Sequence, residues 1–86
     1  MRKVYLGILK SFFYSNVGKT RVTLNITQTE MSERLAMDSR SYIELEHGNS
    51  CCSALTLALF LIYCCTDPID FLNGLRAAFE AESNAA

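Results

Sequence analysis

Few side chains in this sequence of 86 residues are typed and spaced for chemistry. Two adjacent cysteine pairs, Cys51-Cys52 and Cys64-Cys65, and a single histidine, His47, are the candidates for holding a metal. Structural zinc asks for ligands two to four residues apart, so that both thiolates converge on one ion, whereas neighbouring cysteines diverge. The cysteines therefore read as small hydrophobes near a core, and neither a metal nor any other cofactor is expected. His47 lacks an evident base-and-nucleophile arrangement. Gly18-Lys19-Thr20 carries the last letters of a phosphate loop without the preceding glycines. No enzyme is expected. What remains is charge. Arg2, Lys3, Lys10, Lys19 and Arg21 all precede the first acidic residue, Glu30, while Glu30 to Asp70 holds seven carboxylates against Arg34 and Arg40. A net charge of −1 excludes a generally basic protein but leaves a local basic patch open.

Positioning these groups falls to short helices. Ile26-Thr27-Gln28-Thr29-Glu30-Met31 contains a capping box: Thr27 caps the first turn, Glu30 returns the bond, and Ile26 and Met31 take the staple positions. A helix over about 28–35 follows, with Met31 and Leu35 inward. Asp38 repeats the device for a helix over 39–46, with Met37 and Tyr42 as staple, Tyr42 and Leu45 inward, and Gly48 as a left-handed terminator. Only Ala36, Met37 and Asp38 separate the two, a connection short enough to make the axes cross. Ser53 caps a third helix over 54 to 63 or 64, where alternating leucines also allow a strand but length and bounds favour a helix. Asp67 caps a fourth, with Pro68 at its first position and Asp70 in an acidic first turn. Before Thr27, Val17, Thr20, Arg21 and Leu24 fit a helix ending at Asn25. Tyr5, Ile8, Leu9 and Phe12 fit either a separate helix or the same continuous one, with strand-like alternation of Val4, Leu6 and Ile8 as the weaker option. Lys10 interrupts any signal-peptide core, and the apolar run 54–65 is too short for the roughly 20 residues a bilayer demands, so no membrane partner and a cytoplasmic location are expected.

The segment Val17 to Leu72 resembles the lambda-repressor-like, or Cro/C1-type, helix-turn-helix family. The resemblance is carried by Gln28, Leu35, Ala36 in place of the usual glycine, Tyr42, Leu45, Glu46, Gly48 and the Ser53-to-Leu57 helix start, across about 55 of the 86 residues. It implies an all-α fold, a small five-helix domain over 15–80, and leaves 1–14 as an N-terminal extension, expected from its own residues to be helical, and 81–86 as a tail expected to fray. It further implies a sequence-specific double-stranded DNA-binding regulator, a repressor acting as a homodimer. Ser39, Arg40 and Glu44 match positions that face base edges; Arg40 could donate two bonds to guanine, and Glu44 could accept one from a cytosine amino group. Gln28 matches a phosphate-anchoring glutamine, with Thr27 beside it at the same helix start. Arg21 and Glu46 match an inward ion pair joining the first and third helices.

Other features leave alternatives open. Glu44 would be repelled by phosphates and serves equally as a partner contact. Ile43 is expected to be exposed, against a thymine methyl or a protein. Affinity for duplex DNA leans on neutralised phosphates, and the motif itself is poor in cations; Lys10, Lys19 and the Arg2-Lys3 arm would add to it if the extension folds back toward the same face. Apolar residues exceed what one small core can use. Either the extension covers the 54–62 helix in the same chain, or the surplus meets across a symmetric interface, which favours a homodimer. A protein-interaction module on the same scaffold, without strong DNA binding, is the competing expectation.

Overall fold

The computed structural model describes residues 1–85 as five helices: α1 (Arg2–Leu24), α2 (Gln28–Arg34), α3 (Ser39–Glu46), α4 (Ala54–Tyr63) and α5 (Pro68–Ala85). No strand occurs among the described residues, so the architecture is all-α. Among the described residues, no helix is long and apolar enough to cross a membrane. From α2 onward, each helix start is held by the side chain just before it. Thr27 Oγ1 accepts from the Glu30 amide at 3.1 Å while the Glu30 carboxylate accepts from the Thr27 amide. Asp38 accepts from the Ser41 amide at 2.8 Å, Ser53 from the Thr56 amide at 3.1 Å, and Asp67 from the Asp70 amide at 3.0 Å. Each such cap contributes about 1 kcal/mol by satisfying an otherwise orphaned donor.

Three helix ends share one closing device. Asn25, Ala36 and Gly48 take left-handed backbone angles, with φ of 58°, 54° and 79°. The next amide then reaches back five residues: Ile26 to the Arg21 carbonyl, Met37 to Ser32 and Asn49 to Glu44. Glycine adopts this conformation freely and asparagine tolerates it, but the Cβ of an alanine there costs roughly 1 kcal/mol. Ala36 is thus the strained member, and it sits in the turn that joins α2 to α3.

α1 runs 23 residues without a break, straight across positions 14 and 15. The N-terminal extension is therefore continuous with the helix that enters the core, and the strand-like alternation of Val4, Leu6 and Ile8 has no consequence. α5 lies antiparallel to it: Tyr5 meets Phe79 at a ring separation of 5.0 Å, and Phe12 meets Phe71 at 5.1 Å. The helices come so close at Gly74 that a Cβ there would lie 2.9 Å from the Phe12 ring. Phe13, Phe60 and Phe71 form an aromatic cluster, joined by Val17, Met31, Leu35, Tyr42, Leu45 and Cys64 in one core. The tail expected to fray over 81–86 remains helical as far as Ala85, and Ala86 lies outside the described residues.

Candidate nucleic-acid interface

The α2–α3 pair divides its residues by side. Met31, Leu35, Tyr42 and Leu45 are buried, and the staple residues Ile26 and Met37 pack against the same core. With those faces turned inward, the first turn of α3 is left outward, and Ser39 and Arg40 are both exposed on it. Ser41 is committed to its helix start: its hydroxyl donates to Asp38 at 2.9 Å. The two bonds from Ser41, the backbone one first, hold the Asp38 carboxyl below its ordinary pKa.

Two of the base-facing candidates differ from their expected setting. Ile43 is half-buried, not exposed, because it lies beside Tyr42 on a helix of only two turns whose core stripe spreads over adjacent positions. Glu44 is exposed, yet its carboxylate accepts a hydrogen bond from Asn49 Nδ2 at 3.2 Å. Asn49 also donates its backbone amide to the Glu44 carbonyl at 2.9 Å, so the closing device of α3 ties one residue to both ends of Glu44. The left-handed glycine signals that closure, but nothing in the sequence points to the side-chain bond. Tyr14 of α1 lies over the same turn, where a Cβ on Gly48 would come 3.2 Å from its ring.

The phosphate candidates do not converge on one surface. Thr27 commits its hydroxyl to the cap, accepting from the Glu30 amide and donating to the Glu30 carboxylate at 3.2 Å. Gln28 is half-buried, and its amide approaches Glu46 closely enough to favour the ionised carboxylate. Lys10 and Lys19 stand nine residues apart on one unbroken helix, two and a half turns, and so occupy opposite sides of α1. Lys10 shares the side of Val17 and Arg21; Lys19 is exposed on the other. A single helix cannot fold its own lysines back, so at most one of them shares a side with α3.

Arg21 and Glu46 are brought together by a two-bond fork, Nε to Oε2 at 3.1 Å and Nη2 to Oε1 at 2.9 Å. The third donor, Nη1, goes to the Ile26 carbonyl at 3.1 Å, so one guanidinium ties α1, α3 and the α1–α2 turn. Burial pushes the Glu46 pKa up, but the hydrogen bonds from Arg21, with smaller help from Tyr42 and Gln28, outweigh it and hold the carboxyl below its usual value. The Tyr42 hydroxyl sits beside this pair, fully enclosed, and makes no hydrogen bond of ordinary geometry. Burial first, and the neighbouring carboxylate second, raise its pKa and keep it neutral. Three of the five guanidinium N–H donors of Arg21 are therefore engaged within the fold, which makes the residue a structural tie between α1 and α3.

The cysteines are free thiols. Burial pushes the Cys52 thiol up to about 12 and raises Cys64 as well, so both stay protonated and unreactive near neutral pH. Among the described residues no group of three or more histidine, cysteine, aspartate or glutamate side chains could hold a metal ion. Against protein-family models, curated proteins and solved structures alike, the chain has no match.

Proposed function

We propose that this protein is a sequence-specific double-stranded DNA-binding regulator, a repressor acting as a homodimer, that reads base edges with the outward first turn of α3. The observation that carries the reading is the pair Ser39 and Arg40: both exposed, and carried on a short helix whose opposite side is locked into the core by Tyr42 and Leu45. An arginine on the rigid first turn of an outward helix suits bidentate recognition of guanine in a groove about 12 Å wide. Arg21 is engaged by Glu46, which leaves Arg40 to discriminate among bases and no more than one of Lys10 and Lys19 to neutralise phosphate beside it. Few cations flank α3, so affinity per protomer is low and two copies on one duplex are needed for useful binding.

Selection from a random duplex library at two salt concentrations tests this reading. The expected result is an enriched motif whose affinity falls as salt rises, and a loss of preference at one or two positions in Arg40→Ala with little change in fold. Equal affinity for all duplexes would overturn it. A second reading, a protein-interaction module, is favoured by a separate observation: Leu55, Ile62 and Tyr63 on α4 are each about two-thirds exposed. Retention of a protein partner after nuclease treatment and a salt wash, with no duplex selected, would support that alternative.

A further inference from the structure

α4 is the one helix of the five with no charged residue, and it lies in a stretch from Gly48 to Thr66 that has no formal charge at all. Its core side is defined by Thr56, Phe60 and Cys64, spaced four apart. On the opposite side Leu55 is 66% exposed and Ile62 67%, seven residues apart and so in line along the helix, with exposed Ala58 and half-buried Leu59 between them. The N-terminal half of α1, the other segment rich in apolar residues, does not cover this ridge. It sets its rings against α5, through Tyr5 on Phe79 and Phe12 on Phe71.

We propose that this ridge is the homodimer interface, formed by α4 packing antiparallel on α4 of a second copy. The argument for a second copy lies in the register. A two-fold axis between Ala58 and Leu59 sets Leu55 of each copy against Ile62 of the other, so the ridge complements itself: large apolar groups meet at both ends, and small Ala58 lets the axes approach in the middle. Charge agrees with this, because α4 carries no charged side chain of its own, so the two helices set no like charges against each other and desolvate no ion pair, with Arg34 beside Tyr63 at the rim. The area is small. Two ridges of this kind, each near the size of the largest patch a monomer leaves bare, bury on the order of 800 Å² in total, below the range of stable specific interfaces and within that of weak, transient ones. The dimer is accordingly weak and concentration-dependent, and dimerisation precedes or accompanies binding to a two-fold target. This deepens the homodimer of the function proposed above and rests on that reading for its purpose, yet requires no contact with DNA.

Sedimentation of the full chain without nucleic acid, from micromolar to hundreds of micromolar, tests the interface separately from DNA recognition. The wild type is expected to shift from 9.6 kDa to twice that mass with concentration. Leu55→Glu and Ile62→Lys, each shown to be folded by circular dichroism, are expected to stay monomeric at all concentrations. An equimolar mixture of the two variants, and the chain carrying both substitutions, should dimerise again, because the introduced carboxylate of one copy then faces the introduced ammonium of the other across the axis. A wild type that stays at 9.6 kDa overturns the proposal, as does a dimer that survives either single substitution. Folded variants that fail to rescue each other overturn the antiparallel register. A failed duplex selection with this series intact would count against the DNA reading alone.

Discussion

α3 and α4 are both short helices capped by a side chain, and they meet water in opposite ways. α3 has one buried pair, Tyr42 and Leu45, with polar residues over most of its remaining circumference, so its outward side is defined by its own pattern. α4 is apolar almost throughout, and only Thr56, Phe60 and, just past its end, Cys64 are buried in the core. An amphipathic helix declares its orientation in sequence; a uniformly apolar one is oriented by whatever packs first. Here the aromatic cluster packs first. Phe60 touches Phe13 at 5.0 Å and Phe71 at 5.3 Å, and this turns Leu55 and Ile62 outward despite their similar hydrophobicity.

That contrast breaks most sharply under Phe60→Ala and Leu55→Gln. The first removes a fully enclosed ring and should cost about 3–5 kcal/mol, enough to unfold much of so small a domain. The second touches an exposed residue of the same helix and should change monomer stability by no more than about 0.5 kcal/mol in urea titrations of dilute protein. Similar losses for the two would mean that the ridge is not free.

A smaller effect concerns the polar anchor that α3 has and α4 lacks. Glu46→Gln keeps the shape but removes the charge that Arg21 grips, and should cost about 1–2 kcal/mol near neutral pH. Because the folded Glu46 pKa lies below its ordinary 4.5, the charge stabilises the fold fully above that value and the benefit is lost as pH falls through the folded pKa. Urea midpoints of wild type and variant should therefore differ at neutral pH and converge as pH falls through the folded pKa. A gap that widens on acidification would contradict the assignment.

The smallest effect has the opposite sign. Ala36→Gly relieves a left-handed alanine at the α2–α3 turn, offset in part by the freer unfolded chain, and should stabilise by about 0.5–1 kcal/mol in thermal denaturation. A loss of stability would show that the Cβ of Ala36 makes a contact that outweighs its strain.

Much of the helical framework is legible in the sequence. The helix starts at Gln28, Ser39, Ala54 and Pro68 follow from a cap and the three residues after it, an interaction so local that neighbouring sequence contains both partners. The inward placement of Tyr42 and Leu45 follows from a single turn of periodicity. Other features leave weaker traces. Whether α1 is one helix or two is not decided by its own residues, since Lys10 and Phe12-Phe13 spoil each simple pattern and the deciding contacts come from Phe71 and Phe79, at the far end of the chain. The half-burial of Ile43, the bond from Asn49 to Glu44 and the divergence of Lys10 from Lys19 escape a sequence reading for a similar reason. Each depends on a neighbouring helix, a turn or an unbroken axis.

The sequence by itself determined where four of the helices begin, where α1 and α3 close on left-handed residues, and which side of α3 is apolar. These rest on bonds and periodicities spanning at most two turns. Only the tertiary structure decided which side of α4 is left bare, that the N-terminal half of α1 lies along α5, and that Arg21 is held by a carboxylate 25 residues away. Packing among distant aromatic rings chooses between faces of equal hydrophobicity, and no local pattern encodes that choice.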